Sequence, residues 1–146
     1  MHNVTIKPGE YVGPLKLGMP ETEINHILND LEYSFSVLTT SYTNSSLTEL
    51  EISNDRTIAA VLEGYNIDLF QTKVEDLIPK LNEISPYAIN NFYSEGCQYD
   101  FPELGLRLWR SIELYSKDVE NLPEDEKEER ADKLYFETFV IYPSIK

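Results

Sequence analysis

Two breakers, Gly13-Pro14 and Gly18-Met19-Pro20, bracket the short segment Leu15-Lys16-Leu17 and open onto an amphipathic run. Ile24, Ile27, Leu28 and Leu31 recur at i, i+3, i+4 and i+7, the spacing that puts four apolar side chains on one face of a helix. Pro20 suits the first helical position, where a missing N–H costs nothing. Glu21 and Glu23 follow in the first turn, where negative charge meets the positive end of the helix dipole. Gly18 is expected in a backbone conformation that a side chain disfavours. The stretch therefore reads as strand, turn, short strand and helix. It is not a phosphate loop, because it has neither a Lys-Ser/Thr pair after its glycines nor GxGxxG spacing.

A weaker echo starts at Gly64. Ile67 and Leu69 predict a short strand, Thr72 and Glu75 a capping box, and Val74, Leu77, Ile78 and Leu81 a second apolar stripe. Pro79 lies inside that helix, where it removes a hydrogen bond at a cost of roughly 3 kcal/mol. The helix is expected to kink there or to split in two, and Ser85-Pro86 ends it.

Between the two helices, Tyr33, Phe35 and Val37 alternate with polar residues and predict a strand. Ser41 to Ser46 reads as a polar turn, Leu47–Ile52 as a strand, Asn54-Asp55 as a turn and Thr57–Leu62 as a better-buried strand. The first unit is thus strand, helix and three antiparallel strands. In the second unit Tyr87 to Tyr99 is ambiguous, Tyr99 to Leu104 is a strand running into a turn, and Leu104, Leu106 and Leu108 alternate with Arg107 and Trp109. Tyr135–Tyr142, rich in aromatic and β-branched residues, is expected at the centre of its sheet. Residues 117–133 hold eight acids and four bases with no apolar stripe. They predict an exposed helix or mobile insertion in a hairpin, with Glu126/Arg130 and Glu129/Lys133 as i,i+4 pairs.

A chain of 146 residues is large enough to bury a core as one domain, 1–146, with repeats of about 1–63 and 64–146. The net charge of −14 divides evenly, −7 in residues 1–71 and −7 in 72–146. That field repels nucleic acid and favours a basic protein partner; it also serves simple solubility. The lone Cys97 allows no internal disulfide and fits a reducing compartment. There is no run of 18 apolar residues and no apolar leader segment near the N-terminus, so a cytoplasmic location, without membrane, is expected.

The residues carry no evident catalytic constellation. His2 and His26 lack a partner at metal-ligand spacing, and no cysteine pair exists, so neither metal nor cofactor is expected. Cys97 has no local nucleophile signature. Carboxylates are so numerous that a chance pair is weak evidence for a hydrolase. Binding is the better reading, since the chain has ten tyrosines and one tryptophan, and aromatic residues and Arg anchor interfaces. Trp109 and Arg107 are candidates, although a sheet covered on both faces would bury Trp109 as core, the commoner outcome. The candidate carboxylates are Glu49, Glu51, Asp55, Glu63 and Asp68, with the acids of 118–132.

PGEYVGPLKLGMPETEI resembles the PG…G…LGM…E opening of a set of small bacterial proteins, and more distantly that of the phagosome assembly factor 1 family. YNIDLF, DFPELGLRLWR and YFETFVIY are similar to the second half of the same bacterial set. The order of strand, helix and antiparallel meander, read twice, resembles the BamE-like and β-lactamase-inhibitor-like binding folds. The resemblance implies an α+β domain with an internal duplication, and a toxin-neutralising immunity role. The expectation is a non-enzymatic acidic binding protein that neutralises a basic toxin or nuclease. A structural or assembly subunit that self-associates and a carboxylate-based hydrolase stand as alternatives.

Overall fold

A computed structural model describes residues 2–30 and 36–145. The fold is mixed α+β, with one sheet of four strands and one of five. In the first sheet, β1 (His2–Lys7) pairs antiparallel with β2 (Tyr11–Val12), and β2 with β3 (Leu15–Lys16). Helix α1 (Glu21–Asp30) follows. Pro20 sits just before it, its carbonyl accepting the N–H groups of Glu23 and Ile24. Ile24 is buried, and Ile27 and Leu28 pack beside it on the core, so the stripe works as read. Leu31, Tyr33 and Phe35 lie outside the described residues.

β4 (Val37–Thr43) and β5 (Ser46–Ser53) form a hairpin. The stretch expected to be a polar turn is mostly strand. The turn is only Asn44 and Ser45, both at positive φ (52° and 67°), the two-residue geometry that matches strand twist. A bulge places Thr48 as an extra residue on β5. It lets Leu47 and Leu50, three apart, both face the core, which strict alternation would forbid.

β6 (Ile58–Leu62) corrects the expected three-strand meander. It leaves β4 and β5 and runs parallel to β1, closing the four-stranded sheet in the order β3-β2-β1-β6. Four of its five residues are buried, and burial on both faces suits a parallel pair. Helix followed by three strands does recur in chain order, but the two triplets pair differently. The expected strand at Ile67 and Leu69 is also corrected. It is an isolated bridge of Asp68 to Val61, held by Leu69 N–H to the Ala60 carbonyl at 2.8 Å.

Helix α2 (Val74–Ile84) buries Val74, Leu77, Ile78 and Leu81 as the spacing predicts. Each such side chain contributes roughly 1.5–3 kcal/mol. The helix continues unbroken through Pro79. Pro79 and Glu75, whose carbonyl loses its donor, both face solvent, so water can take the missing bond. The Thr72–Glu75 capping box does not form. The N-terminal residue is Lys73, with no side-chain cap, and Glu75 instead accepts from the Ser116 N–H at 2.8 Å and hydroxyl at 2.6 Å.

β7 (Gln98–Phe101), β8 (Leu106–Trp109) and β9 (Thr138–Ile141) complete the second sheet in the order β4-β5-β9-β8-β7. β9 is central, as its composition suggests. Between β8 and β9 come α3 (Ser116–Glu120), α4 (Glu124–Arg130) and a 3₁₀ turn (Ala131–Leu134). Neither α3 nor α4 has a buried residue, so the acidic segment is the exposed hairpin insertion expected. The expected pairs Glu126/Arg130 and Glu129/Lys133 are not among the ion pairs of the described residues: Lys133 meets Glu137 at 2.9 Å and Arg56 meets Asp132.

One continuous core joins the two sheets. The N-terminal half of β5 pairs with residues 18–20, through Gly18 N–H to Leu47 O at 2.8 Å and Leu47 N–H to Met19 O at 2.9 Å, while its C-terminal half pairs with β9. No helix among the described residues is long and apolar enough to cross a membrane.

Candidate functional site

Strand alternation decides what the five-stranded sheet shows to solvent. The rows Leu50–Ile141–Leu106–Phe101 and Ile52–Phe139–Leu108–Tyr99 run in register across β5, β9, β8 and β7 and face the core. The rows between them must face outward. They are Glu51–Val140–Arg107–Asp100 and Ser53–Thr138–Trp109–Gln98. Asp100 and Thr138 in these rows are buried, but Trp109 is 41% exposed, a correction to the expectation that it is core.

Arg107 organises the face. Its guanidinium lies between the Phe92 ring, 4.1 Å from the ring centre, and the Tyr142 ring at 4.7 Å. Asp100 Oδ1 and Glu49 Oε1 are each 3.7 Å away. Buried Asp100 also accepts from the Tyr142 hydroxyl and from Asn90 Nδ2 at 3.0 Å. Burial, then the Asp100 carboxylate, push the Tyr142 phenol up. The side chain of Arg107 is only 18% exposed, so it holds Phe92 in place and does not reach outward itself. Phe92, 44% exposed, belongs to a loop that bridges β7 through Ala88–Asp100 and Ser94–Gln98. Glu51, Gln98, Arg107, Trp109, Thr138 and Val140 line a concavity of about 280 Å³ beside it.

Of the sequence-derived candidates, the structure brings together Glu49, Glu51, Arg107 and Trp109. The other three serve local structure. Asp55 accepts from the Ser36 hydroxyl and from Thr57 N–H at 2.9 Å, holding the turn in which Arg56 has φ 69°. Asp68 accepts from the N–H groups of Ala60 at 3.2 Å, Phe70 at 2.9 Å and Gln71 at 3.1 Å. Glu63 lies just past β6, 3.9 Å from Lys7 and hydrogen-bonded by the Tyr11 hydroxyl, at the edge of the other sheet. Sequence reasoning missed Phe92, Asp100 and Tyr142. The Arg107-x-Trp109 alternation pointed to their face, but the loop that carries Phe92 has no periodicity.

Elsewhere the chemistry is sparse. Among the described residues no group of three His, Cys, Asp or Glu side chains converges on a metal-sized space. His26 pairs with Asp30 at 3.2 Å on the surface of α1. A second concavity, of about 260 Å³, is lined by Asn54, Arg56, Ile58, Phe70, Gln71 and Tyr135. It carries no member of the outward-facing rows.

Two carboxylates tie the acidic insertion down. The Ser116 hydroxyl and N–H hold Glu75 below its ordinary value of 4.5. Burial pushes Glu137 up, but Lys133 and the Ser111 N–H outweigh it, and the net shift is downward. A carboxyl depressed in the folded state stabilises it above the unfolded value and loses that contribution as pH falls through the folded one. Amide-exchange protection in residues 111–134 is therefore expected to drop below about pH 4.5, ahead of the β5–β9 core. Equal loss in both regions would count against this linkage.

The fold and the outward face define a class: a two-sheet α+β protein that presents exposed aromatic rings and carboxylates on the outer face of an antiparallel sheet, part of which lies under the loop carrying Phe92. Comparisons with protein-family models, with curated proteins and with solved structures find no match for the chain.

Proposed function

We propose that this protein is a non-enzymatic acidic binding protein that holds a basic protein partner on the outer face of its five-stranded sheet. The observation that carries the reading is the exposure of Trp109 and Phe92 on the face that also bears Glu49 and Glu51, in a chain of net charge −14. The field of the whole chain steers a cationic surface in. At contact, a partner's Arg or Lys stacks on Trp109 and pairs with Glu51, much as Arg107 is held within the chain by rings and carboxylates. Aromatic anchors of this kind concentrate binding energy.

In its most concrete form the partner is a toxin or nuclease and this chain its cytoplasmic immunity protein. The similarity of the PG…LGM…E opening to small bacterial proteins supports that form. The test is capture of the partner at low salt, elution at high salt, and suppression of its toxicity on co-expression. Trp109→Ala is expected to weaken capture by about 30-fold, the scale of a 2 kcal/mol anchor. Glu49→Lys with Glu51→Lys should slow association and flatten its salt dependence. Undiminished capture by both variants would overturn the assignment of the face.

A further inference from the structure

The first alternative raised by the sequence, a self-associating subunit, has its own structural basis, at a different place. From Tyr33 to Thr48 the chain has 16 consecutive residues without a charge, although 26% of all its residues are charged. Seven of those residues, Val37–Thr43, form β4, an edge strand of the five-stranded sheet. Edge strands are usually blunted by charges, by proline or by a covering segment, because their outward N–H and C=O groups can template another strand. The opposite edge, β7, is covered by the bridges of Ala88 and Ser94. In the other sheet, β6 is bridged by Asp68, and β3 is only two residues long. Among the described residues no strand or bridge reaches the outer edge of β4, and Leu38 on it is 56% exposed.

We propose that β4 pairs antiparallel with β4 of a second copy of this chain, joining two five-stranded sheets into one. The register follows from the bulges. Leu38 is extra on β4, whereas the second irregularity places its extra residue on β5, so Thr39–Thr43 is the regular part of the edge. Its centre is Ser41. Two-fold pairing at Ser41 sets Thr39 against Thr43 and Thr40 against Tyr42, favourable cross-strand combinations. It also keeps the two inner faces on one side, because paired residues share parity. Symmetry of this kind needs one self-complementary patch, and an uncharged one is where two chains of −14 can meet. The closest repeated acids, Glu49 and Glu51 on β5, stand across from Ser41 and Thr39. Glu49 and its counterpart in the second copy are three strand spacings apart, roughly 14 Å, and the two Glu51 residues, offset along the strands, are farther apart. The shorter distance exceeds a Debye length of about 8 Å at physiological salt but not one of about 30 Å in 10 mM salt.

The dimer should therefore strengthen with salt, the opposite of basic-partner capture, so failure of either idea leaves the other standing. Sedimentation velocity across protein concentration, in 10 mM and 300 mM NaCl, reads the first property. Ser41→Lys reads the second: in the monomer the lysine faces Glu49, but at the two-fold axis it meets its own copy. Association should weaken by about fivefold or more while the circular dichroism spectrum stays native. Register is read by crosslinking in a Cys97→Ser background. Ser41→Cys should form an intermolecular disulfide under added oxidant, since directly paired Cα atoms are about 4.5–5.5 Å apart. Thr43→Cys should not, its copies lying about 14 Å apart. A monomer at every concentration and salt, a dimer indifferent to Ser41→Lys, or crosslinking at 43 in preference to 41 would each overturn the proposal.

Discussion

Arg110→Met is expected to lower the unfolding free energy by about 3 kcal/mol and the melting temperature by roughly 10 °C. Arg110 is the largest fully buried side chain, with 0% exposure. Its guanidinium donates from Nε to Gly96 O at 2.6 Å and from Nη1 to Leu114 O and Lys133 O, both at 2.8 Å. These carbonyls belong to three segments: the loop before β7, the approach to α3, and the end of the acidic insertion. Among the described residues no carboxylate makes an ion pair with it, and Nη2 has no hydrogen-bond partner. The Tyr115 ring centre is 5.5 Å from the guanidinium carbon. The charge is thus solvated by three backbone carbonyls and an aromatic ring. Methionine fills the space but orphans three carbonyls at about 1–3 kcal/mol each, offset in part because a cation no longer has to be desolvated. Arg110→Lys should recover little, because a compact ammonium cannot span three acceptors set at fork geometry. Urea titration gives the magnitude, and limited proteolysis within 111–134 shows where the structure loosens. Arg110→Met within 1 kcal/mol of the parent would remove this residue's role as the anchor of the insertion.

Gly105→Ala is the other large effect, again about 3 kcal/mol or more, measured against Gly18→Ala. Both glycines have positive φ, 75° and 93°, so both substitutions carry the left-handed penalty of roughly 1–2 kcal/mol. They differ in space. A Cβ on Gly18 would meet nothing within 4 Å, whereas one on Gly105 would lie 2.2 Å from Tyr142 O and 2.8 Å from Gly9 Cα. The atoms in the way are backbone, so no rotamer change relieves the clash. Gly9 in turn brings the turn after β1 against Leu104 O, where its own Cβ would be 2.8 Å away. This glycine contact joins the ends of the two sheets. If Gly105→Ala and Gly18→Ala cost the same in parallel denaturant titrations, the close approach contributes nothing beyond backbone conformation.

The large and periodic elements were legible from the residues. Val74, Leu77, Ile78 and Leu81 bury as their spacing requires, β9 is central, and Leu106 and Leu108 face in while Arg107 and Trp109 face out. So was the solvated insertion, because 117–133 has no apolar stripe to bury. Each of these follows from periodicity, which sums over many residues and so survives local accidents. Partner choice between strands does not. Ile58–Leu62 has the same character whether it pairs antiparallel with β5 or parallel with β1, and only the crossover geometry puts it beside His2–Lys7.

The same limit governs the candidate site. The −14 charge and the Arg107/Trp109 alternation pointed to a binding face, but five acids were nominated from charge alone and only Glu49 and Glu51 lie on it. Asp55 and Asp68 were drawn into turns by nearby N–H groups, a competition that depends on backbone direction and not on residue type. Thr72 and Glu75 matched a capping box in spacing, yet Ser116, 41 residues on, takes the carboxylate. Local pattern dictated which residues are helical, extended and buried, because those preferences act within a turn or a pleat. Chain packing decided which sheet each strand joins, which carboxylates remain available and which face of the second sheet stays open, because those depend on residues distant in the chain meeting in space.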